Sequence, residues 1–84
     1  MLSCAKLASA RQKTVGTKQT LKALEKGIAK VVYIAEDAEH HVVEPVIGIC
    51  EAKNIPIVRV DSMKLLGEIC AIDVGCATAS IIEE

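Results

Sequence analysis

Lys30-Val31-Val32-Tyr33-Ile34-Ala35 is a run that turns apolar after its first residue and stays so for five positions. A strand with one wet face alternates polar and apolar side chains, whereas a strand covered on both faces reads as an unbroken apolar run. The stretch is therefore expected at the centre of a sheet, with Glu36-Asp37 turning the chain at its end. Downstream, Val46, Ile49, Cys50 and Lys53 recur at helical spacing and predict a helix over Val43 to Lys53, with Pro45 in its first turn, where a missing amide hydrogen does no harm. Asn54 closes that helix and Pro56 forbids its continuation. Ile57 to Val60 is expected as a short strand and Ser62 as the cap of a helix from Met63 to about Cys70. A loop follows at Ala71 to Cys76, then a last strand from Ala77 to Ile82.

Upstream of the central run, Ser3 can cap a helix reaching about Gln12, and Thr14-Val15-Gly16 reads as a short extended segment. Thr17 is expected as N-cap of a second helix that turns Leu21 and Leu24 inward and ends at Gly27. Helix and strand thus alternate along the chain. The order predicts one domain over residues 1–84, in the α/β class: a three-layer α/β/α sandwich with a mixed sheet of about four strands.

Composition narrows the functional classes. Hydrophobic residues make up 51% of the 84, yet Tyr33 is the only aromatic among them, so the core must be aliphatic. Such a small core supplies roughly 3 to 5 kcal/mol of net stability, which calls for short, tidy loops. No apolar run approaches the ~18 residues needed to cross a bilayer. Lys6 and Arg11 interrupt the N-terminal apolar residues, so no signal-peptide pattern forms, and a cytoplasmic protein without a membrane partner is expected. Cys4, Cys50, Cys70 and Cys76 follow no zinc-ribbon spacing and are expected as reduced, packed thiols. His40 and His41 are adjacent and cannot easily face one ion together, so neither a metal nor a cofactor is expected.

Catalysis finds little support. The chain lacks G-x-S-x-G, the phosphate-cradling G-x-x-x-x-G-K and G-x-G-x-x-G, and no nucleophile has a partner at readable spacing. Glu36-Asp37 reads as a solvated turn and His40-His41 as surface residues entering a helix. The expectation is a non-enzyme with no small-molecule substrate.

A net charge of -1 argues on its face against nucleic acid, but the distribution is uneven. Met1 to Lys22 holds Lys6, Arg11, Lys13, Lys18 and Lys22 and no acidic residue, a charge of +5, while Ala23 to Glu84 carries -6. One end of the fold should be electropositive while the rest stays soluble. Within that end lies Gly16-Thr17-Lys18-Gln19-Thr20-Leu21-Lys22. A glycine lets the backbone pass close to a ligand, and the amides that open a helix are free donors backed by the positive end of its dipole. Lys18 and Lys22 share one helical face, and Gln19 beside them offers both donor and acceptor to a purine edge. The same letters also describe an ordinary capped helix with exposed lysines. In the loop Ala71-Ile72-Asp73-Val74-Gly75-Cys76, Ile72 and Val74 either tuck beneath the chain or cover an unstacked nucleotide.

Four segments carry a resemblance. Gly16 to Gly27 (GTKQTLKALEKG), Val31 to Asp37 (VVYIAED), Cys50 to Pro56 (CEAKNIP) and Ser62 to Gly67 (SMKLLG) resemble, in order, the L7Ae family of kink-turn RNA-binding ribosomal proteins. The likeness extends from about Lys13 to Ile82 and is greatest to the bacterial branch, which has Gly-Thr-Lys-Gln-Thr at the same place. It implies an α/β/α sandwich that recognises the kink turn, an RNA helix bent by a short bulge beside tandem sheared G·A pairs. Carried over by position, Gly16, Thr17, Lys18, Gln19 and Lys22 would meet those pairs. Ile72, Asp73, Val74 and Gly75 would lie over an extruded nucleotide, and Glu39 resembles a family acidic residue that bonds an extruded base. Archaeal and eukaryotic members carry Asn-Glu where this chain has Lys18-Gln19, exchanging a neutral and an acidic reader for a cation and an amide. Met63 stands where many members are basic, Ala71 replaces a common glycine, and His40 a common proline.

The expected function is therefore binding and stabilising of kink turns in ribosomal RNA or a structured messenger leader, by a monomer, with Lys13 adding phosphate attraction. The alternative is a protein-interaction module on the same fold, using its acidic part and having little affinity for RNA.

Overall fold

The computed structural model describes residues 7–8 and 12–83, Glu83 by its backbone alone. The elements are β1 (Gln12–Val15), α1 (Thr17–Glu25), β2 (Val31–Ala35), α2 (His40–Lys53), β3 (Ile57–Val60), α3 (Met63–Ile69) and β4 (Thr78–Glu83). Of the helix expected from Ser3 to Gln12, Leu7 and Ala8 are helical and Gln12 already belongs to β1; the rest lies outside the described residues.

The strands form one sheet in the order β1-β4-β2-β3. β4 runs antiparallel to both neighbours, β1 and β2, while β3 is parallel to β2. This is the mixed sheet expected of the alternating order. β2 is central, and every one of its residues is buried. Because side chains alternate along a strand, Val31, Tyr33 and Ala35 point to one face and Val32 and Ile34 to the other. The first set packs with Leu7, Val60, Leu66, Cys70, Cys76, Ala79 and Ile81 beneath α3. The second packs with Ala23 and Leu24 of α1 and Val43, Val46 and Cys50 of α2. Two aliphatic cores back to back across one sheet make the three layers.

Three helix ends share one device. Gly27 (φ 72°), Asn54 (φ 59°) and Ala71 (φ 63°) adopt left-handed backbone just past the helices. In each case the next amide reaches back to close the last turn: Ile28 to the Ala23 carbonyl (3.1 Å), Ile55 to Cys50 (2.8 Å) and Ile72 to Gly67 (3.0 Å). Lys53 Nζ also donates to the Leu24 carbonyl (3.0 Å), tying the end of α2 to that of α1.

The helix starts differ from expectation in two places. Gly16, not Thr17, is the N-cap of α1: its φ of 98° and ψ of 155° break β1 and open the helix, and Thr17 is already helical. α2 begins at His40 rather than Val43, so Pro45 lies beyond the first turn. An exposed Pro45 removes only the bond to the His41 carbonyl, near a helix end where water can replace it. The exposed pair of His40 with Glu44 (3.1 Å) lies along the added turn.

Candidate nucleic-acid interface

β1, β2 and β3 all point the same way, so the three helices that follow them begin at one rim of the sheet, where β4 also starts. The joints at this rim are direct. Gly16 donates its amide to the Thr78 carbonyl (2.9 Å), Ala35 to that of Ala77 (2.9 Å) and Glu36 to that of Val60 (2.7 Å). The positive ends of three helix dipoles therefore face one strip of surface.

α1 is held to the sheet by hydroxyls. Thr78 Oγ1 donates to Thr17 Oγ1 (3.1 Å), and Thr14 Oγ1 lies 3.0 Å from Thr20 Oγ1 and also bonds Ser80. Thr20, Thr78 and Ser80 are buried, and no buried side-chain N or O atom among the described residues lacks a partner. Such a satisfied network fixes an element where apolar packing alone would let it slide. Thr17 accepts within it and keeps its own O–H to give away. No side chain caps α1, and the first amide to bond inside it is that of Thr20, to the Gly16 carbonyl (3.1 Å). The preceding amides of Thr17, Lys18 and Gln19 thus face outward as donors, between the exposed side chains of Lys18, Gln19 and, one turn on, Lys22.

The loop after α3 doubles back along that helix. The Cys76 amide donates to the Met63 carbonyl (3.0 Å), and a β-carbon on Gly75 would come 3.2 Å from Met63 Cβ, so the end of the loop is pinned to the start of α3. From there the chain enters Thr78, which grips Gly16 and Thr17. The glycine entrance of α1 and the loop are thereby two residues apart through Thr78. Within the loop the two aliphatics part company: Ile72 is half-buried against the Tyr33 core, whereas Val74 is 69% exposed. Asp73 and Gly75 are exposed beside it.

Two residues stand somewhat apart. Lys13 shares the sheet face of Val15, on the loop side, where its charge is felt by Cys70, while Lys18 and Lys22 rise from the α1 side. Glu39 occupies the N-cap position of α2, exposed, with its carboxylate 3.7 Å from His41 Nδ1. Beneath the loop, Cys70 and Cys76 are buried and hydrogen-bonded to each other. That bond, helped by the Gly16 amide and opposed by burial, lowers the Cys76 thiol to about 7, while the Cys70 thiol is driven far upward by the same bond and by burial. Cys76 Sγ lies 2.8 Å from the Thr78 carbonyl, so this thiol too sits at the joint between loop and α1.

Sequence reasoning did not find the hydroxyl row or the role of Asp37. Asp37 Oδ1 accepts the Met63 amide (2.7 Å), so the turn read as merely solvated holds the start of α3. Ser62 Oγ, as its capping position predicts, accepts from Leu65 (3.0 Å). Among the described residues no group of His, Cys, Asp or Glu is placed to hold a metal, and no helix is long and apolar enough to cross a membrane.

The layered α/β/α fold, with a donor-rich helix entrance tied to the start of β4 just after an aliphatic loop, defines the class of domain. The chain belongs to the ribosomal protein L7Ae/L30e/S12e/Gadd45 family, whose signature it matches over residues 3–84. It is 50% identical over 80 residues to an RNA-binding protein of Halalkalibacterium halodurans, covering 95% of this chain and 98% of that protein. It is 42% identical over 81 residues to the RNA-binding protein YbxF of Geobacillus stearothermophilus, covering 96% and 99% of the two. Among solved structures, the 15.5 kD RNA-binding protein of Giardia lamblia superposes with a TM-score of 0.84 at 32% identity, over 96% of this chain and 68% of that one. The family and the layered fold agree with the resemblance carried by the four segments.

Proposed function

We propose that this chain binds RNA, and specifically the kink turn, stabilising the bent form because it binds that form better than the extended one. A ligand shifts such an equilibrium only by its differential affinity, so the protein needs a surface shaped for the bend and no chemistry. The observation that supports the reading is the Gly16–Thr78 bond, which sets the donor-rich entrance of α1 beside the start of β4, the strand that leaves the loop bearing exposed Val74. Full-length relatives described as RNA-binding proteins support the ligand class.

In this reading the outward amides of Thr17 to Gln19, the Thr17 hydroxyl and the Gln19 amide meet the edges of the G·A pairs at the bend. Lys18 and Lys22 attract phosphate from the α1 side and Lys13 from the loop side. Val74, flanked by Asp73 and Gly75, covers the extruded nucleotide, with half-buried Ile72 as its footing, and Glu39 accepts from an extruded base. The setting is ribosomal RNA or a structured messenger leader. A fluorescence titration with a labelled kink turn and a control whose G·A pairs are disrupted tests it. Preference for the intact motif is expected; equal affinity for both would overturn the kink-turn assignment, and no affinity for either, with stoichiometric capture of a protein partner, would move the function to protein contacts.

A further inference from the structure

We infer that Asp37, which is not among the residues argued to touch RNA, is the positioning residue that sets the place of the aliphatic loop; the consequence for RNA rests on the reading above. The connection is a relay through one peptide group. Asp37 Oδ1 accepts the amide of Met63 (2.7 Å), and the carbonyl of the same residue accepts the amide of Cys76 (3.0 Å). Gly75 lies against Met63 Cβ, close enough that a side chain there would press on it, and Gly67 one turn on lies under the Val74 carbonyl. Met63 is thus held by the turn after β2 and in turn holds the loop.

The residue type suits the task. α3 spans seven residues, Met63–Ile69, and a helix that short has little tendency to hold itself. Its first amides would otherwise be open to water. Ser62 takes the amide of Leu65, and Asp37 takes that of Met63, so two acceptors from different segments divide the helix start between them. A carboxylate adds a charge-assisted bond and a favourable position at the positive end of the dipole. Asp37 belongs to the turn that leaves the most buried strand of the sheet, so the loop is referenced to the rigid centre of the molecule rather than to the flank it covers.

The test compares Asp37→Ala with Asp37→Asn, whose amide oxygen can still accept. Hydrogen exchange on the free protein reads the relay directly. Asp37→Ala is expected to speed exchange of the Met63 and Cys76 amides about tenfold or more while the Val32 and Tyr33 amides keep their rates, and Asp37→Asn is expected to restore most of the protection. Unchanged exchange at Cys76 in Asp37→Ala overturns the inference, whatever the RNA does. On kink-turn RNA, Asp37→Ala should weaken binding several-fold and shrink the difference between an intact and an abasic bulge, with the salt slope unaltered. Asp37→Asn should stay near the parent. If instead both variants bind RNA more tightly, Asp37 acts only as a repelling charge and the positioning role is wrong. Should the parent protein itself show no preference for kinked RNA, the functional reading falls, and the exchange result still decides the relay.

Discussion

The carbonyl oxygen of Val74 lies over the α-carbon of Gly67, so near that a β-carbon at Gly67 would collide with it. A loop residue therefore rests on a buried helix glycine, and the position of Val74 depends on the absence of a side chain beneath it. Gly67→Ala should force the loop outward and destabilise the fold by about 1–3 kcal/mol, the usual range for overpacking. Thermal unfolding checks this: each kcal/mol should lower Tm by about 4–8 °C in a chain of this size.

Ala71 makes the opposite prediction. It holds φ 63° at the end of α3, where an L side chain is strained. The left-handed backbone costs about 1–2 kcal/mol and glycine returns part of that in unfolded-chain freedom, so Ala71→Gly should stabilise by about 0.5–1 kcal/mol. Gly27→Ala, at the matching end of α1 with φ 72°, should destabilise by about 1 kcal/mol. Chemical denaturation of both variants measures the signs.

Ile72 and Val74 are both loop aliphatics, but their burial assigns them different work. Val74→Ser should leave stability within about 0.5 kcal/mol, as an exposed substitution does, while weakening kink-turn binding. Ile72→Ser should lower stability by about 1–2 kcal/mol, because part of the side chain leaves the core. If Val74→Ser left RNA affinity untouched, the loop contact would have to be given up.

Lys18 and Lys22 are exposed and lie one turn apart on α1. Replacing both by alanine should weaken RNA binding and reduce the slope of log affinity against log salt by about 2, one for each lost phosphate contact. Unfolding should be unaffected. Titrations at several salt concentrations give the slope.

The thiol pair under the loop predicts a pH dependence. Cys76, lowered to about 7 from 9.0, releases its proton in the folded chain before the unfolded chain does, so stability should rise as pH increases through that interval. Above 9.0 the sign reverses, since Cys70 and Cys50, both raised by their surroundings, keep their protons in the folded state while the unfolded chain gives them up. Thermal unfolding across this window should show the maximum, and Cys70→Ala, which removes the bond that lowers Cys76, should flatten the rise below 9.0.

Much of the architecture was legible because it is written locally. The unbroken run from Val31 to Ala35 announced a strand covered on both sides, and both cores do meet across it. Gly27, Asn54 and Ser62 marked helix ends by their own backbone and capping preferences, which need no distant partner. Where local rules competed, the sequence misled: Thr17 is a good cap by type, yet its hydroxyl is engaged with Thr78, and glycine at position 16 made the turn instead. Pro45 suggested a late start for α2, although an exposed proline near a helix end costs little and the helix gained a turn.

By itself, then, the chain determined which segments are helix and which strand, where the apolar faces lie, and that positive charge gathers near Gly16. Strand order was left to the tertiary structure, because a period of two says which face is buried but not which neighbour is paired. Once β4 lies between β1 and β2, and β3 runs beside β2, Thr78 reaches Gly16, Asp37 reaches Met63, Ile72 goes under and Val74 stays out. Those contacts join residues far apart in sequence, and only the folded sheet brings them within bonding distance.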